Sequence, residues 1–227
     1  MTGNPSNLSE PEKENDWRKI AAKNPNNLNR RRLRTVTQVL KQCGARRVID
    51  LGCGEGNLLR SLIKDPAFTQ LTGVDISDQA LETAKSQLKG DLPAHQQNRL
   101  QLIQGSLVCP DQRFRGYDAA ALVEVIEHIE PDGIAALEQT VFNFAQPKTV
   151  IVTTPNIEYN ILYPIPPGQL RDPDHRFEWT RQEFRAWAEQ AAQQYGYTVT
   201  FQGIGDEFYD LGTPTQMAIF QRECQDG

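Results

Sequence analysis

The sequence contains no long apolar run. No stretch approaches the ~18 consecutive apolar residues of a membrane span, and the opening MTGNPSNLSEPEKEND is polar, without the apolar core of a secretory signal. A cytoplasmic protein with no membrane partner is therefore expected, with residues 1–26 as a flexible N-terminal arm and 27–227 as the folded domain. Paired cysteines are also missing. Cys43, Cys53, Cys109 and Cys224 include no Cys-x-x-Cys spacing, which argues against a metal ribbon or a dithiol redox centre and for reduced thiols. Nor is there an excess of positive charge. Lys and Arg number 24 against 29 Asp and Glu, a net charge of −5, so bulk adhesion to nucleic acid is disfavoured while a local basic patch stays open. Within those limits, 227 residues, 38% hydrophobic and 23% charged, suffice for one well-cored domain and are too few for two.

Strand and helix patterns alternate along the chain. NLNRRRLRTVTQVLKQCG (27–44) carries Leu33, Val36 and Leu40 at helical spacing and stops at Gly44. RRVIDLGCG reads as a strand ending in a glycine turn, NLLRSLIK as a helix, and LTGVDIS as a second strand with Ser77 or Asp78 capping the next helix. RLQLIQGSL, GYDAAALVEV and KTVIVTTPN are further strands; PDGIAALEQTVFNFA is a helix with Pro131 near its start. YPIPPGQLRDPDH (163–175) is too proline-rich for either, and TRQEFRAWAEQAAQQYG is a helix with Thr180 and Glu183 at capping-box spacing. YTVTFQGIG and TPTQMAIFQRE follow one another with no helix between them, so they are expected to pair antiparallel. The pattern predicts an α/β fold with a doubly wound, mostly parallel sheet of seven strands.

The strand tips carry the first chemistry. DLGCGEGN places Gly52, Gly54 and Gly56 where backbone can turn tightly and approach a ligand, ahead of a helix N-terminus with free N–H groups. GVDIS puts Asp75 at the neighbouring tip, where a carboxylate suits a ribose diol, and QGSL puts Ser106 within reach of an adenine amino group. The Gly-x-Gly-x-Gly spacing, with Asp75 and the strand order, resembles the class I S-adenosylmethionine-dependent methyltransferases over about residues 46–222. The resemblance implies a Rossmann-like fold whose last strand runs antiparallel. It also implies S-adenosylmethionine as cofactor, contacted through Asp50, Gly52, Gly54, Asp75, Ile76, Ser106 and Leu107.

A second cluster follows the fourth strand. VEVIEH (123–128) sets Glu124, Glu127 and His128 at i, i+3 and i+4, on one face if a helical turn begins near Glu124. Two carboxylates and an imidazole suit a divalent ion such as Mg²⁺, Mn²⁺ or Co²⁺. Small-molecule methyltransferases of this fold also carry a Glu-x-x-Glu-His segment in which the first glutamate and the histidine serve packing or a different site. DHRFEWTRQEF (174–184) adds His175, with Asp174 beside it to orient a ligating ring. VEVIEHIEP, TTPNIEYN and DHRFEWTRQEF together resemble the RNA 3′-terminal 2′-O-methyltransferases, and most of all the bacterial members that work with a polynucleotide kinase–phosphatase in RNA repair.

That resemblance implies a metal set and catalytic centre at Glu124, Glu127, His128 and His175. Such a set leaves two octahedral positions for the 2′- and 3′-hydroxyls of a terminal ribose. The substrate implied is a single-stranded RNA 3′ end with a free diol, and the repair enzyme is the implied partner. The general base stays open between a histidine of the set and a water. Bacterial relatives commonly have a further N-terminal domain, for which this length leaves no room, so an excised C-terminal half and a stand-alone form are both open.

RNA contacts are expected from Arg171, Arg176, Asn156 and Tyr159, and more broadly from two arginine groups, Arg30, Arg31, Arg32 and Arg34, and Arg171, Arg176, Arg181 and Arg185. For the first group a solvated helix face is an equal alternative. Trp179, Tyr159 and Tyr163 are candidates for base stacking, whereas Trp187, spaced helically from Phe184, belongs to the core. Two rival functions remain: O-methylation of a small catechol- or quinone-like acceptor, and a non-catalytic S-adenosylmethionine-binding module.

Overall fold

The computed structural model describes residues 25–89, 98–166 and 168–222. Most of the expected N-terminal arm, and Cys224, lie outside the described residues. Helix α1 (Pro25–Gln42) ends before Gly44, whose φ of 70° lets the chain turn into β1 (Arg47–Leu51). Helix α2 (Asn57–Leu62), β2 (Gln70–Asp75), α3 (Asp78–Lys89) and β3 (Leu100–Gln104) complete the first half. Of the two proposed caps of α3, Ser77 acts, its hydroxyl accepting from the Ala80 amide at 3.2 Å. Strand β4 (Ala119–Val123) leads to a short α4 (Ile134–Glu138), which widens into a π-helical segment, Gln139–Ala145. Strand β5 (Thr149–Pro155), α5 (Arg181–Tyr195), β6 (Tyr197–Ile204) and β7 (Thr215–Arg222) follow.

The seven strands lie in the order β3-β2-β1-β4-β5-β7-β6. All neighbouring pairs from β3 to β5 are parallel, and β7 runs antiparallel to both β5 and β6, as its direct connection from β6 requires. The central strands are buried on both sides, which explains their unbroken apolar runs. Alternate residues divide the core. Ala119, Ala121 and Ile151 face Val36, Leu40, Leu59 and Leu88 of α1–α3, and Ala120, Val150 and Val152 face Leu137, Phe142, Phe184 and Ala188 on the other side. The alanines of β4 hold both helical layers close to the sheet centre.

Strand order reverses between β1 and β4, and at such a switch point a crevice opens at the carboxyl ends of the strands. The loops after β1 and β2 and the segments after β4 and β5 converge there. The β6–β7 loop reaches the same edge, because Thr215 at the start of β7 pairs with Pro155 at the end of β5.

Candidate active site

On the cofactor side, the loop after β1 is bound to the tip of β2. The amides of Gly52 and Cys53 donate to the Val74 carbonyl at 2.8 and 2.9 Å. The Asp75 carboxylate accepts from the Gly54 amide at 2.8 Å and the Ser77 amide at 2.9 Å, so it is fixed by backbone on both oxygens. The two glycines serve different ends. A Cβ on Gly52 would meet Val125 at 2.6 Å, a neighbour inside the protein rather than a ligand. A Cβ on Gly54, whose φ is 51°, would meet nothing within 4 Å and would stand in the open crevice. Ile76 is 73% exposed beside this loop, an uncovered apolar side chain where a flat apolar ring could lie. Ser106 is half-buried, and Leu107 buries its side chain in the core, which leaves its backbone for any contact.

Asp50 is buried at the end of β1 with Oδ2 lacking any hydrogen-bond partner. Burial, and then the charge of Asp75, push its carboxyl up to about 7. An orphaned buried carboxylate oxygen beside a glycine loop fits a cationic group such as the ammonium of an amino-acid moiety.

On the acceptor side, the chain leaves β4 with Glu124 in a left-handed conformation, φ 56°, and makes a single 3-10 turn at Ile126–His128. The expected shared helical face does not form, because helical geometry starts only at Ile126, after Glu124. Three of the four expected ligands do converge: Glu127, His128 and His175 bring one ligand atom each within 4.8 Å of one another. Glu124 is not in that group. Its Oε2 pairs with Arg32 of α1 at 2.8 Å, and its Oε1 accepts from the Thr153 hydroxyl at 2.9 Å.

Glu127 is 0% exposed; Oε2 accepts from the Thr154 hydroxyl at 3.0 Å and Oε1 has no partner. Burial, and then Glu124, raise its carboxyl well above the ordinary value. An anionic oxygen buried without a donor is costly unless a cation meets it, so the residues present fit a divalent ion. Both imidazoles are oriented for the same purpose. Nδ1 of His128 lies 3.3 Å from the Asp174 carbonyl, and Nδ1 of His175 lies 2.6 Å from Glu178 Oε1, with the rings edge to face at 4.9 Å. With Nδ1 engaged, each ring keeps Nε2 free, the arrangement that fixes the tautomer of a ligating histidine.

The residue that orients His175 is thus Glu178, not the Asp174 side chain. Burial alone would raise Glu178; hydrogen bonds from His175, Asn160 and the Arg171 amide outweigh it and hold the carboxyl below its ordinary value. His175 and Glu178 stand three apart in HRFE, a spacing that offered the signal; Asn160 left none, and Arg32 stood out only as one of an arginine group, not as a partner of Glu124.

The expected RNA contacts are largely internal. The Arg171 guanidinium donates to Asn160 Oδ1, the Pro214 carbonyl at 2.9 Å and the Asn156 carbonyl at 2.9 Å, and lies 4.7 Å over the Tyr163 ring. Asn156, 1% exposed, donates to the carbonyls of Leu211 and Thr213 and accepts from the Glu158 amide. Tyr159 is 2% exposed, against Tyr163 and Phe208. Arg171 and Asn156 brace the loop that carries His175 and Glu178, because a proline-broken segment needs side-chain partners. Arg176 is exposed and pairs with Glu130 at 2.8 Å. Arg181 pairs with Glu158, Arg185 lies over Phe201, and Trp179 packs on Phe177 and Trp187. The first arginine group divides: Arg30 and Arg34 are exposed, Arg31 pairs with Asp206, and Arg32 turns inward. Among the described residues no helix is long and apolar enough to cross a membrane.

Comparison with known proteins identifies the family of the fold. A family model described as a methyltransferase domain matches residues 49–149. The small RNA 2′-O-methyltransferase of Rattus norvegicus is 36% identical over 203 residues, covering 86% of this chain and 51% of the relative. The chain spans about half the length of the curated relatives it matches first. Among solved structures, the methyltransferase domain of bacterial CtHen1 is 54% identical with a TM-score of 0.79, covering 86% of this chain and 99% of that one. A chain of the Pnkp1/Rnl/Hen1 RNA repair complex is 27% identical with a TM-score of 0.64, covering 86% of this chain and 42% of that one. With a glycine loop tied to Asp75, a Glu-His-His cluster at the switch point and a relative matched over nearly its whole length, the chain belongs to the Hen1 family of methyltransferase domains.

Proposed function

We propose that the chain transfers a methyl group from S-adenosylmethionine to the 2′-hydroxyl of the 3′-terminal ribose of RNA, with a divalent ion at the acceptor site. The observation that carries the reading is the Glu127–His128–His175 cluster with Glu127 Oε1 unpartnered inside it. The names of the relatives, small RNA 2′-O-methyltransferases and a member of the Pnkp1/Rnl/Hen1 RNA repair complex, support the same substrate and a repair partner such as a polynucleotide kinase–phosphatase.

Glu124, Glu127, His128 and His175 would hold the ion, Mn²⁺, Mg²⁺ or Co²⁺. When bound, such an ion polarises the vicinal hydroxyls of a terminal ribose and lowers their pKa. The protein supplies the rest. Asp50 meets the cofactor's ammonium, Asp75 its ribose diol, and Ile76 covers its adenine. Glu178 and the Asp174 carbonyl hold the imidazoles in one tautomer, and Thr154 holds one oxygen of Glu127 so that the other faces the acceptor. These contacts fix the acceptor oxygen against the sulfonium methyl, and much of the acceleration in a methyl transfer comes from such orientation. RNA phosphates would meet exposed Arg30, Arg34 and Arg176 rather than Arg171.

Only a terminal ribose presents both hydroxyls. The test is tritiated methyl transfer to one short RNA ending in 3′-OH, 3′-deoxy, 2′-deoxy or 3′-phosphate. Only the diol is expected to react well. Loss of the 3′-OH is expected to slow transfer on the order of a thousandfold through lost orientation, and a 3′-phosphate to be equally poor. Comparable rates on the 3′-OH, 3′-deoxy and 3′-phosphate ends would rule out chelation of the diol.

A further inference from the structure

Arg32 lies on α1, 92 positions before Glu124, yet its guanidinium is inside the acceptor site. Its side chain is 11% exposed; Nη2 is 2.8 Å from Glu124 Oε2 and donates to Thr215 Oγ1 at 3.0 Å. Nε is buried with no partner. The pair therefore joins α1, the start of β7 and the end of β4 at the rim of the sheet.

The state of Glu124 matters here. Its amide is held by the Thr153 carbonyl and hydroxyl, both at 3.1 Å, and its own oxygens are taken up by Thr153 and Arg32. It stands outside the group that Glu127, His128 and His175 form. Two carboxylates three residues apart, one of them wholly buried, repel each other unless positive charge lies nearby. Arg32 is the cation beside Glu124. A guanidinium is always charged, and a buried one left half-satisfied at Nε is a partner that exchange can release.

We propose that Arg32 is the built-in counter-cation of the acceptor site: it holds Glu124 where a divalent ion would otherwise draw it, and yields Glu124 when the ion binds. Arg32 is then a positioning residue that competes with the metal for one carboxylate. The consequence is a lower intrinsic metal affinity, with α1 coupled to the loading of the site. The inference rests on the metal reading of the Glu127–His128–His175 cluster.

A purely structural ion pair and a competing one differ in the sign of one effect. Removing a structural pair lowers stability and damages metal binding together. Removing a competitor lowers the stability of the metal-free protein and tightens metal binding, since Glu124 is freed and the site gains net negative charge. The experiment measures Mn²⁺ affinity by the electron paramagnetic resonance of free Mn²⁺, without RNA or cofactor, alongside the thermal midpoint of the metal-free protein. Arg32→Gln is expected to bind Mn²⁺ about tenfold more tightly while melting lower. Arg32→Lys, which keeps the charge, is expected to stay close to wild type. Arg31→Gln, which removes a solvent-exposed pair with Asp206 on the same helix, is expected to change neither quantity.

Unchanged or weaker Mn²⁺ binding in Arg32→Gln overturns the inference while leaving the metal site standing. Absence of saturable Mn²⁺ binding in the wild type, with His175→Ala no different, overturns the metal reading and the inference with it. A second measurement needs no variant. On titration of wild-type protein with Mg²⁺, the Nε–H resonance of Arg32 is expected to move and that of Arg31 to stay; a stationary Arg32 signal overturns the proposal.

Discussion

Asp50 and Glu127 each carry a buried carboxylate oxygen without a partner, one on the cofactor side of the crevice and one on the acceptor side. A folded chain tolerates such atoms where a ligand answers them, and the two point to ligands of the same sign. At the residue scale this predicts that Asp50→Asn weakens S-adenosylmethionine binding by calorimetry, on the order of tenfold for a lost charged hydrogen bond, without unfolding the protein. His175→Ala is expected to abolish methyl transfer and leave cofactor affinity intact. Under the proposed metal reading, adding Glu127→Ala should cost little more, because the ligands of one ion act as a unit. An additive loss in the double variant would separate the two residues.

At the element scale, the site depends on a loop with little regular structure of its own. Residues 171–178 are held by the Arg171 guanidinium, by Asn160 and by the Thr180–Glu183 capping box that starts α5. Arg171→Ala is therefore expected to act on folding, lowering the urea-derived stability on the order of 2 kcal/mol for lost hydrogen bonds in a half-buried network. The salt dependence of RNA binding should be unchanged, whereas a phosphate contact would reduce its slope. Thr180→Ala should cost about 1 kcal/mol as an ordinary N-cap loss. In the glycine loop, Gly54→Val combines a branched side chain at φ 51° with occupation of the open crevice. It is expected to abolish cofactor binding with a modest loss of stability, read by calorimetry and circular dichroism together.

At the scale of the whole molecule, the raised carboxyl of Asp50 links stability to pH. Its folded value, about 7, lies above the ordinary 3.8, so between those values the folded state keeps a proton that the unfolded state releases. The stabilisation is complete below the unfolded value and is lost as pH rises through about 7. The thermal midpoint of the ligand-free protein should therefore fall more between about pH 5 and about pH 8 in the wild type than in Asp50→Asn. Saturating S-adenosylmethionine should reduce that fall, since its ammonium favours the ionised carboxylate. Equal pH dependence of wild type and Asp50→Asn would remove Asp50 as its source.

Local chemistry in the sequence determined much of this. Short unbroken apolar runs dictate the central strands, glycine spacing the turn after β1, Thr180 and Glu183 a helix start, and the absence of a helix between β6 and β7 their antiparallel pairing. These features depend on neighbours a few positions apart, and backbone geometry transmits them directly. Only tertiary structure decided which charged side chains stay exposed and which pair within the protein. The arginines of RRRLR are equivalent in sequence, yet two residues, about half a helical turn, separate exposed Arg34 from Arg32, which is largely buried against a glutamate 92 positions away. Arg171 reads as a phosphate contact until the carbonyls of Asn156 and Pro214 close around it. Glu124 reads as part of a helical face until its left-handed backbone turns it toward α1. A charge's role depends on burial and on partners distant in the chain, and those exist only once the sheet has brought its strand ends together.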